Sequence, residues 1–363
     1  MIPLFSPTAA NANLDFCSAI KSVLDRHWYI LGEEVRGFER EFAIYVGVSH
    51  CLTLANGTDA LEIGMRALGV APGDKVVTVA NAGFYSSTAI RAIGALPLYI
   101  DIDPGTLTMS VSALDAAIKA RPRAIIVTHL YGQVAKIELL AQLARDAGIP
   151  LVEDCAQAHG ARLNGRMVGS FGALGCFSFY PTKNLGALGD GGAICTNDEA
   201  LADRIRSLRQ YGWRAKYDVV IPGGRNSRLD EVQAAVLRLK LPYLEKWNNE
   251  RRKIAERYNE AFATLTNIIL PPLGDDYVAH LYVIRLLERE SFRQFLLERG
   301  IASDVHYPIP DHRQQAYLPA ITASSLSVTE KSCSQVVSLP CFPGLSTGEI
   351  DTVISAVCDW HSR

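Results

Sequence analysis

Gly172-Ala-Leu-Gly-Cys-Phe-Ser-Phe-Tyr-Pro-Thr-Lys183-Asn-Leu-Gly-Ala-Leu-Gly-Asp-Gly-Gly192 reads as an apolar strand that ends in a hydroxyl, a proline and a single lysine. Lys183 has no charged neighbour between Arg166 and Asp190. It stands between an apolar run and a glycine-dense segment, where backbone can approach a ligand closely. Two readings are open from this stretch alone. One is a lysine that snorkels at a strand end. The other is a Schiff-base lysine, whose amine must lose its proton to attack a carbonyl and gains from a desolvated site that lowers its pKa from about 10.4.

Upstream, Ile149-Pro-Leu-Val-Glu-Asp154-Cys-Ala-Gln157-Ala-His-Gly160 is a short buried-type strand whose end delivers two acids, a glutamine and a histidine. Polar groups clustered where a strand ends are where α/β proteins place their ligand chemistry. Pyridoxal phosphate (PLP) needs an acid facing its ring nitrogen, because the protonated ring is the electron sink for a substrate carbanion. Asp154 fits that role, and Gln157 could reach the ring hydroxyl. The alternative for both is hydrogen bonding that satisfies a strand end.

Working outward, strand and helix patterns alternate from Lys75 to Asp154: strands at 76–80, 96–100, 124–129 and 150–154, helices at 86–93, 112–120 and 136–147. That rhythm specifies a largely parallel sheet wrapped by helices, an α/β fold. No Gly-x-Gly-x-x-Gly follows any of these strands, so a nicotinamide or flavin site lacks its phosphate loop. Apolar positions at helical spacing mark 14–26 and 33–45 as amphipathic helices, and 51–55 as a strand running into Asn56-Gly57-Thr58-Asp59. Gly57 and Thr58 then open a helix at 60–68, where free amides and the helix dipole make an anion cradle; ordinary capping is the other reading. Residues 211–228 read as an exposed loop, and 229–239 and 244–262 as helices. A boundary near 244 divides a large domain, 1–244, from a smaller C-terminal α+β domain, 245–363, with a strand at 278–287 and a helix at 291–299. In the latter, Ser303-Asp-Val-His306-Tyr307-Pro-Ile-Pro-Asp-His312-Arg313 sets two histidines and a tyrosine on a proline-braced loop.

The pairing of Val152-Glu-Asp154-Cys-Ala-Gln157-Ala-His159-Gly with Phe177-Ser-Phe-Tyr-Pro-Thr-Lys183-Asn resembles the DegT/DnrJ/EryC1/StrS nucleotide-sugar aminotransferases, PLP enzymes of fold type I (aspartate aminotransferase-like). The resemblance extends to Trp28-Tyr-Ile-Leu-Gly-Glu-Glu, Asn56-Gly-Thr-Asp-Ala-Leu61, Pro72-Gly-Asp-Lys-Val-Val77 and Asn226-Ser-Arg-Leu-Asp-Glu-Val-Gln-Ala-Ala235. It implies that Lys183 holds PLP and shuttles the proton, that Asp154 protonates the ring nitrogen and that Gln157 holds the ring. Gly57, Thr58 and Ser178 would clamp the phosphate, helped by Asn226 from the second subunit of a homodimer. It also implies an aromatic stacked on the ring, with Phe84 the first choice and Tyr85 the second, because Gly83-Phe84-Tyr85-Ser86 departs from the usual Thr-Phe-x-Ala-Thr. Tyr180, His306, Tyr307 and His312 are expected to face the sugar. The implied donor is L-glutamate and the acceptor a nucleotide-linked keto sugar. Family members that aminate C4 commonly read Asn-Tyr-Arg-Met, whereas Asn226-Ser-Arg-Leu-Asp-Glu231, Asn81-Ala-Gly83 and 306–313 resemble members that aminate C3 of a dTDP-3-keto-6-deoxyhexose; the alternative is amination at C4 of a nucleotide-linked 4-keto-6-deoxyhexose. Dehydratases of the same fold carry histidine where this chain has Lys183.

The chain has 363 residues, 48% hydrophobic and 20% charged, with a formal charge of -2. It is long enough for a substantial core, and it offers no basic stripe for nucleic acid. Eight cysteines lie scattered without a CxxC pair or a His/Cys cluster, so no metal site and no disulfide framework is expected. No signal-peptide order occurs in residues 1–30 and no apolar run approaches about 18 residues. The expectation is a cytoplasmic enzyme that uses no membrane.

Overall fold

The alternation expected between 75 and 154 is realised. In the computed structural model, which describes residues 1–362, seven strands build most of the central sheet. Numbered here in chain order they are β1 (His50–Leu54), β2 (Lys75–Val79), β3 (Leu96–Ile100), β4 (Ala124–Thr128), β5 (Leu151–Asp154), β6 (Leu174–Ser178) and β7 (Gly192–Thr196). Their order is β1-β7-β6-β5-β4-β2-β3, and the two-residue strand Ile321–Thr322 extends the β3 edge. β7 runs antiparallel to both neighbours, and the remaining pairings are parallel. This is fold type I, with a large, mostly parallel sheet between helices.

β4 shows why the sheet is covered on both sides: Ala124-Ile-Ile-Val-Thr128 is buried at every position, so neither face could stand in water. On one side the helix Glu33–Val46 turns Val35, Phe38, Phe42 and Val46 inward at helical spacing. Phe42 meets Phe177 of β6 edge-to-face, with ring centroids 5.0 Å apart. The register sets Asp154 at the end of β5 beside Thr128 of β4 and Cys176 of β6. The polar ends of three adjacent parallel strands therefore open on one edge.

The long helix Leu244–Phe262 leads into a second hydrophobic cluster, which includes Tyr258, Phe262, Tyr282, Phe292 and Val353 and is joined by Phe5 from the chain start. Its strands Tyr282–Arg285 and Val336–Leu339 pair antiparallel. The strand expected at 278–287 is shorter, because Val278 donates its amide to Gly132 and lies in a buried connection. Segment 311–329 returns to the large sheet: Ile321–Thr322 pairs with β3, and the Asp101 carboxylate accepts the amides of Val328 and Thr329. Helices Ser327–Gln335 and Thr347–His361 lie beyond the elements read from the sequence. Within 211–228, Trp213–Ala215 and Asp218–Val219 form a small hairpin. Among the described residues no helix is long and apolar enough to cross a membrane, and all eight cysteines are free.

Candidate active site

A cavity of about 770 Å³ opens where β4, β5 and β6 end. One wall is the start of the helix Gly57–Ala67, capped by Asn56, whose side chain accepts the Asp59 amide. The Gly57 and Thr58 amides, at the first two helical positions, have no acceptor within the helix, and they line the cavity together with Ser178. A β-carbon on Gly57 would stand 2.6 Å from the Ser178 Cβ, so only glycine lets the helix start approach the end of β6 this closely. The result is a cradle of donors for an anion, shaped by the strand that leads to the lysine.

Lys183 lies half-buried in the same cavity. Burial lowers its pKa to about 8 and outweighs the opposing pull of the Asp154 charge. Asp154 is itself buried, and desolvation raises its pKa although the Ala156 amide and the Thr128 hydroxyl each donate to it at 3.2 Å. A buried acid so lightly served fits a cation brought in by a ligand, which is what a protonated ring nitrogen provides. The other acid of the pair does different work. Glu153 accepts the amides of Gly169, Phe171 and Gly172 and bonds His129, which folds the approach to β6. Together with Cys155 these two residues form a buried cluster of metal-ligand types, but the carboxylate is already committed to three amides. His159 is sealed between the rings of Phe177 and Phe179, and burial drives its pKa down to about 3, so the ring behind the lysine stays neutral.

Gln157 also lines the cavity; its Oε1 accepts the Tyr131 amide at 2.7 Å and its Nε2 donates to the Tyr307 hydroxyl at 3.1 Å. His306, Tyr307, Tyr85 and the half-exposed Tyr180 complete the residues anticipated from the sequence. Three others lie elsewhere. Gly83 (φ +78°) and Phe84 (φ +69°) are both left-handed, which turns the chain so that Tyr85 lines the cavity while the Phe84 ring stacks on Tyr317 with centroids 5.1 Å apart. Of the two aromatics named from the sequence, Tyr85 lines the cavity and Phe84 does not. His312, expected at the sugar, is buried behind the loop with Nε2 2.9 Å from Glu330. The reason is its neighbour: Asp311 is drawn into the turn at 84–87, where it accepts the Phe84 amide and the Ser87 hydroxyl, and this points His312 away. Asn226 is exposed in an isolated bridge with Gln210, outside its own chain's cavity.

Sequence reading missed Thr128, His280 and Arg251, all of which line the cavity. A signal for Arg251 existed. Leu244, Asn248, Arg251, Ala255, Tyr258 and Phe262 recur at helical spacing and are all buried, so two polar residues interrupt an otherwise apolar stripe.

A lysine of lowered pKa, a buried acid and a donor-lined anion cradle, gathered at the carboxyl ends of a parallel sheet of this order, define a PLP enzyme of the aspartate aminotransferase type. The chain belongs to the DegT/DnrJ/EryC1/StrS aminotransferase family, whose model matches residues 12–358. It is 46% identical over 341 residues to the dTDP-3-amino-3,6-dideoxy-alpha-D-galactopyranose transaminase of Aneurinibacillus thermoaerophilus, covering 93% of each chain. It is 43% identical over 349 residues to the dTDP-3-amino-3,4,6-trideoxy-alpha-D-glucose transaminase of Streptomyces venezuelae, covering 95% of this chain and 92% of the relative. The crystal structure of S. venezuelae DesV superposes with a TM-score of 0.96 at 42% identity, covering 100% of this chain and 99% of that one.

Proposed function

We propose that this enzyme transfers the amino group of L-glutamate to C3 of a dTDP-3-keto-6-deoxyhexose, giving the dTDP-3-amino-3,6-dideoxyhexose. The observation that carries this reading is the near-full-length match to two transaminases whose names both place nitrogen at C3 of a dTDP-linked sugar. The wording of this chain at 226–231 and 306–313 agrees with it.

PLP, once bound, supplies the electron sink that lets the donor's α-carbon lose a proton. The residues supply the rest. Gly57, Thr58 and Ser178 would hold its phosphate, and Asp154 would serve the ring nitrogen as its anionic partner. Tyr85 would cover the ring. Lys183 Nζ, with its pKa near 8, is partly unprotonated at neutral pH and serves as the base that takes the α-proton and later returns it. Gln157, fixed by the Tyr131 amide, holds the hydroxyl of Tyr307, so the ring side of the cavity and the sugar-facing loop are tied by one hydrogen bond. His306 and Tyr180 stand at the sugar. The enzyme acts as a homodimer in which Asn226 reaches the neighbour's phosphate cradle, and its eight free thiols suit the reducing cytoplasm.

The product decides the matter. With glutamate and a dTDP-3-keto-6-deoxyhexose, NMR of the product should show the nitrogen-bearing carbon at C3. An amine at C4, or efficient turnover of the 4-keto isomer alone, would overturn the assignment.

A further inference from the structure

Between the end of β6 at Ser178 and the start of β7 at Gly192, the chain makes a closed loop that carries Lys183. Phe179 forms its neck: its amide donates to the Gly191 carbonyl at 2.7 Å, and its carbonyl accepts the Ala187 amide at 2.8 Å. Within the loop the Lys183 amide donates to the Tyr180 carbonyl at 2.9 Å. The outgoing and returning limbs touch. A β-carbon on Gly186 would stand 2.5 Å from the Pro181 carbonyl oxygen, so only glycine lets the two limbs lie this close. A displacement of Gly186 is therefore passed to Pro181, two residues from the lysine.

Lys240 grips the returning limb from outside. It ends the helix Glu231–Lys240, and its Nζ donates to the Gly186 carbonyl at 2.6 Å. At 4% exposure it is the one buried lysine among the described residues. The Trp247 ring lies 5.7 Å from Nζ, no carboxylate among the described residues pairs with it, and burial alone lowers its pKa to about 8. A lysine at a helix end usually snorkels into water, where the helix dipole favours it. A methionine would fill the same space without taking a charge out of water, so packing does not account for the residue. The side chain does not line the cavity that holds Lys183, which leaves the Gly186 carbonyl as its route to the site. Two turns earlier on the same helix face, Gln233 accepts the Leu188 amide at 2.8 Å and holds the limb a second time.

We infer that Lys240, aided by Gln233, is a positioning residue for Lys183: by pinning the returning limb at Gly186 it braces the outgoing limb and sets where the lysine amine stands in the cavity. The inference rests on the transaminase reading of Lys183 above and adds the support behind it. Because the same amine serves the donor half and the sugar half of the cycle, both halves depend on that support.

Lys240→Met removes the contact and keeps the volume. In the enzyme without cofactor, the pH midpoint for acylation of Lys183, read on its peptide by mass spectrometry, should rise from about 8 towards 10.5 as the freed lysine reaches water. Loaded with PLP, the variant should lose about 10- to 100-fold in kcat per bound cofactor, while KM for glutamate and for the keto sugar stays within about three-fold of wild type, because the amine is misplaced and the binding walls are untouched. An unmoved midpoint overturns the inference even if activity falls, since a general loosening of the fold would do that too. An unchanged kcat per bound cofactor also overturns it. Should Lys240→Met fail to fold, Gln233→Ala at its half-buried position decides by the same two readings, with smaller changes in the same directions; no movement in either overturns the inference. Borohydride treatment of the PLP-loaded wild type that fixes the cofactor on a lysine other than Lys183 would instead defeat the reading of that residue, and the role of Lys240 would fall with it.

Discussion

An aspartate in the same cavity would ordinarily make a lysine harder to deprotonate, yet burial takes Lys183 the other way, to a pKa of about 8. The folded protein therefore holds this proton less tightly than the unfolded chain, whose lysine titrates near 10.5. By linkage, the charged lysine costs stability at every pH below about 8, and that cost fades as pH rises from 8 towards 10.5. Without cofactor, Lys183→Met should accordingly be more stable than wild type at pH 7, and the gap should close across that window. Urea denaturation at a series of pH values checks this, and a gap independent of pH would refute it. Lys183 was legible in the sequence because charge is scarce around it, and Asp154 because it ends a strand. Phe84 was ranked ahead of Tyr85, and it is Tyr85 that lines the cavity, for a reason of backbone geometry. Two successive left-handed residues rotate the chain by one position, and a non-glycine residue at positive φ leaves no mark that composition or periodicity can carry.

The turn at 84–87 and the loop at 306–313 are separate elements joined by one carboxylate. Asp311 accepts the Phe84 amide at 3.0 Å and the Ser87 hydroxyl at 2.6 Å, which fixes Tyr85 and Tyr307 relative to each other. Their rings meet at 6.1 Å. Asp311→Ala would leave a buried amide and hydroxyl unserved and should destabilise by roughly 1–3 kcal/mol, whereas Asp311→Asn keeps an acceptor for Phe84 and should lose much less. Burial lifts the Asp311 pKa to about 7, so ionising it costs the folded state increasingly as pH rises from 3.8 to 7. The Asn variant should gain on wild type over that interval in chemical denaturation, and a relative loss there would refute the assignment. Long periodic elements such as Glu33–Val46 and Leu244–Phe262 were readable because each repeats its apolar spacing for several turns. Ile321–Thr322 was not, since two residues contain no period and their strand identity comes wholly from β3.

At the scale of the whole molecule, several exposed apolar side chains gather near the start of the helix Glu231–Lys240. Trp28, Tyr29 and Ile30 are 61%, 47% and 38% exposed, and Leu188 is 45% exposed. They lie together: Ile30 bridges Asp230, the Tyr29 carbonyl takes the Glu231 amide, and the Leu188 amide bonds Gln233 on the helix that follows. The hairpin residues Tyr211, Trp213 and Tyr217, whose rings pack in series, join this rim through the Gln210–Asn226 bridge. Asn226 thus sits on the apolar rim and outside its own cavity, as a residue serving a twofold-related neighbour would. If it does, Lys183→Ala and Asn226→Ala damage opposite ends of a shared site. Subunits of the two variants, mixed equally and allowed to exchange, should form heterodimers with one doubly damaged site and one intact site. About half the dimers would be mixed, so activity should rise above the parents towards about a quarter of wild type. Sedimentation confirms whether dimers form and exchange; activity that stays at the parents' mean after exchange would mean that each cavity is served by its own chain alone.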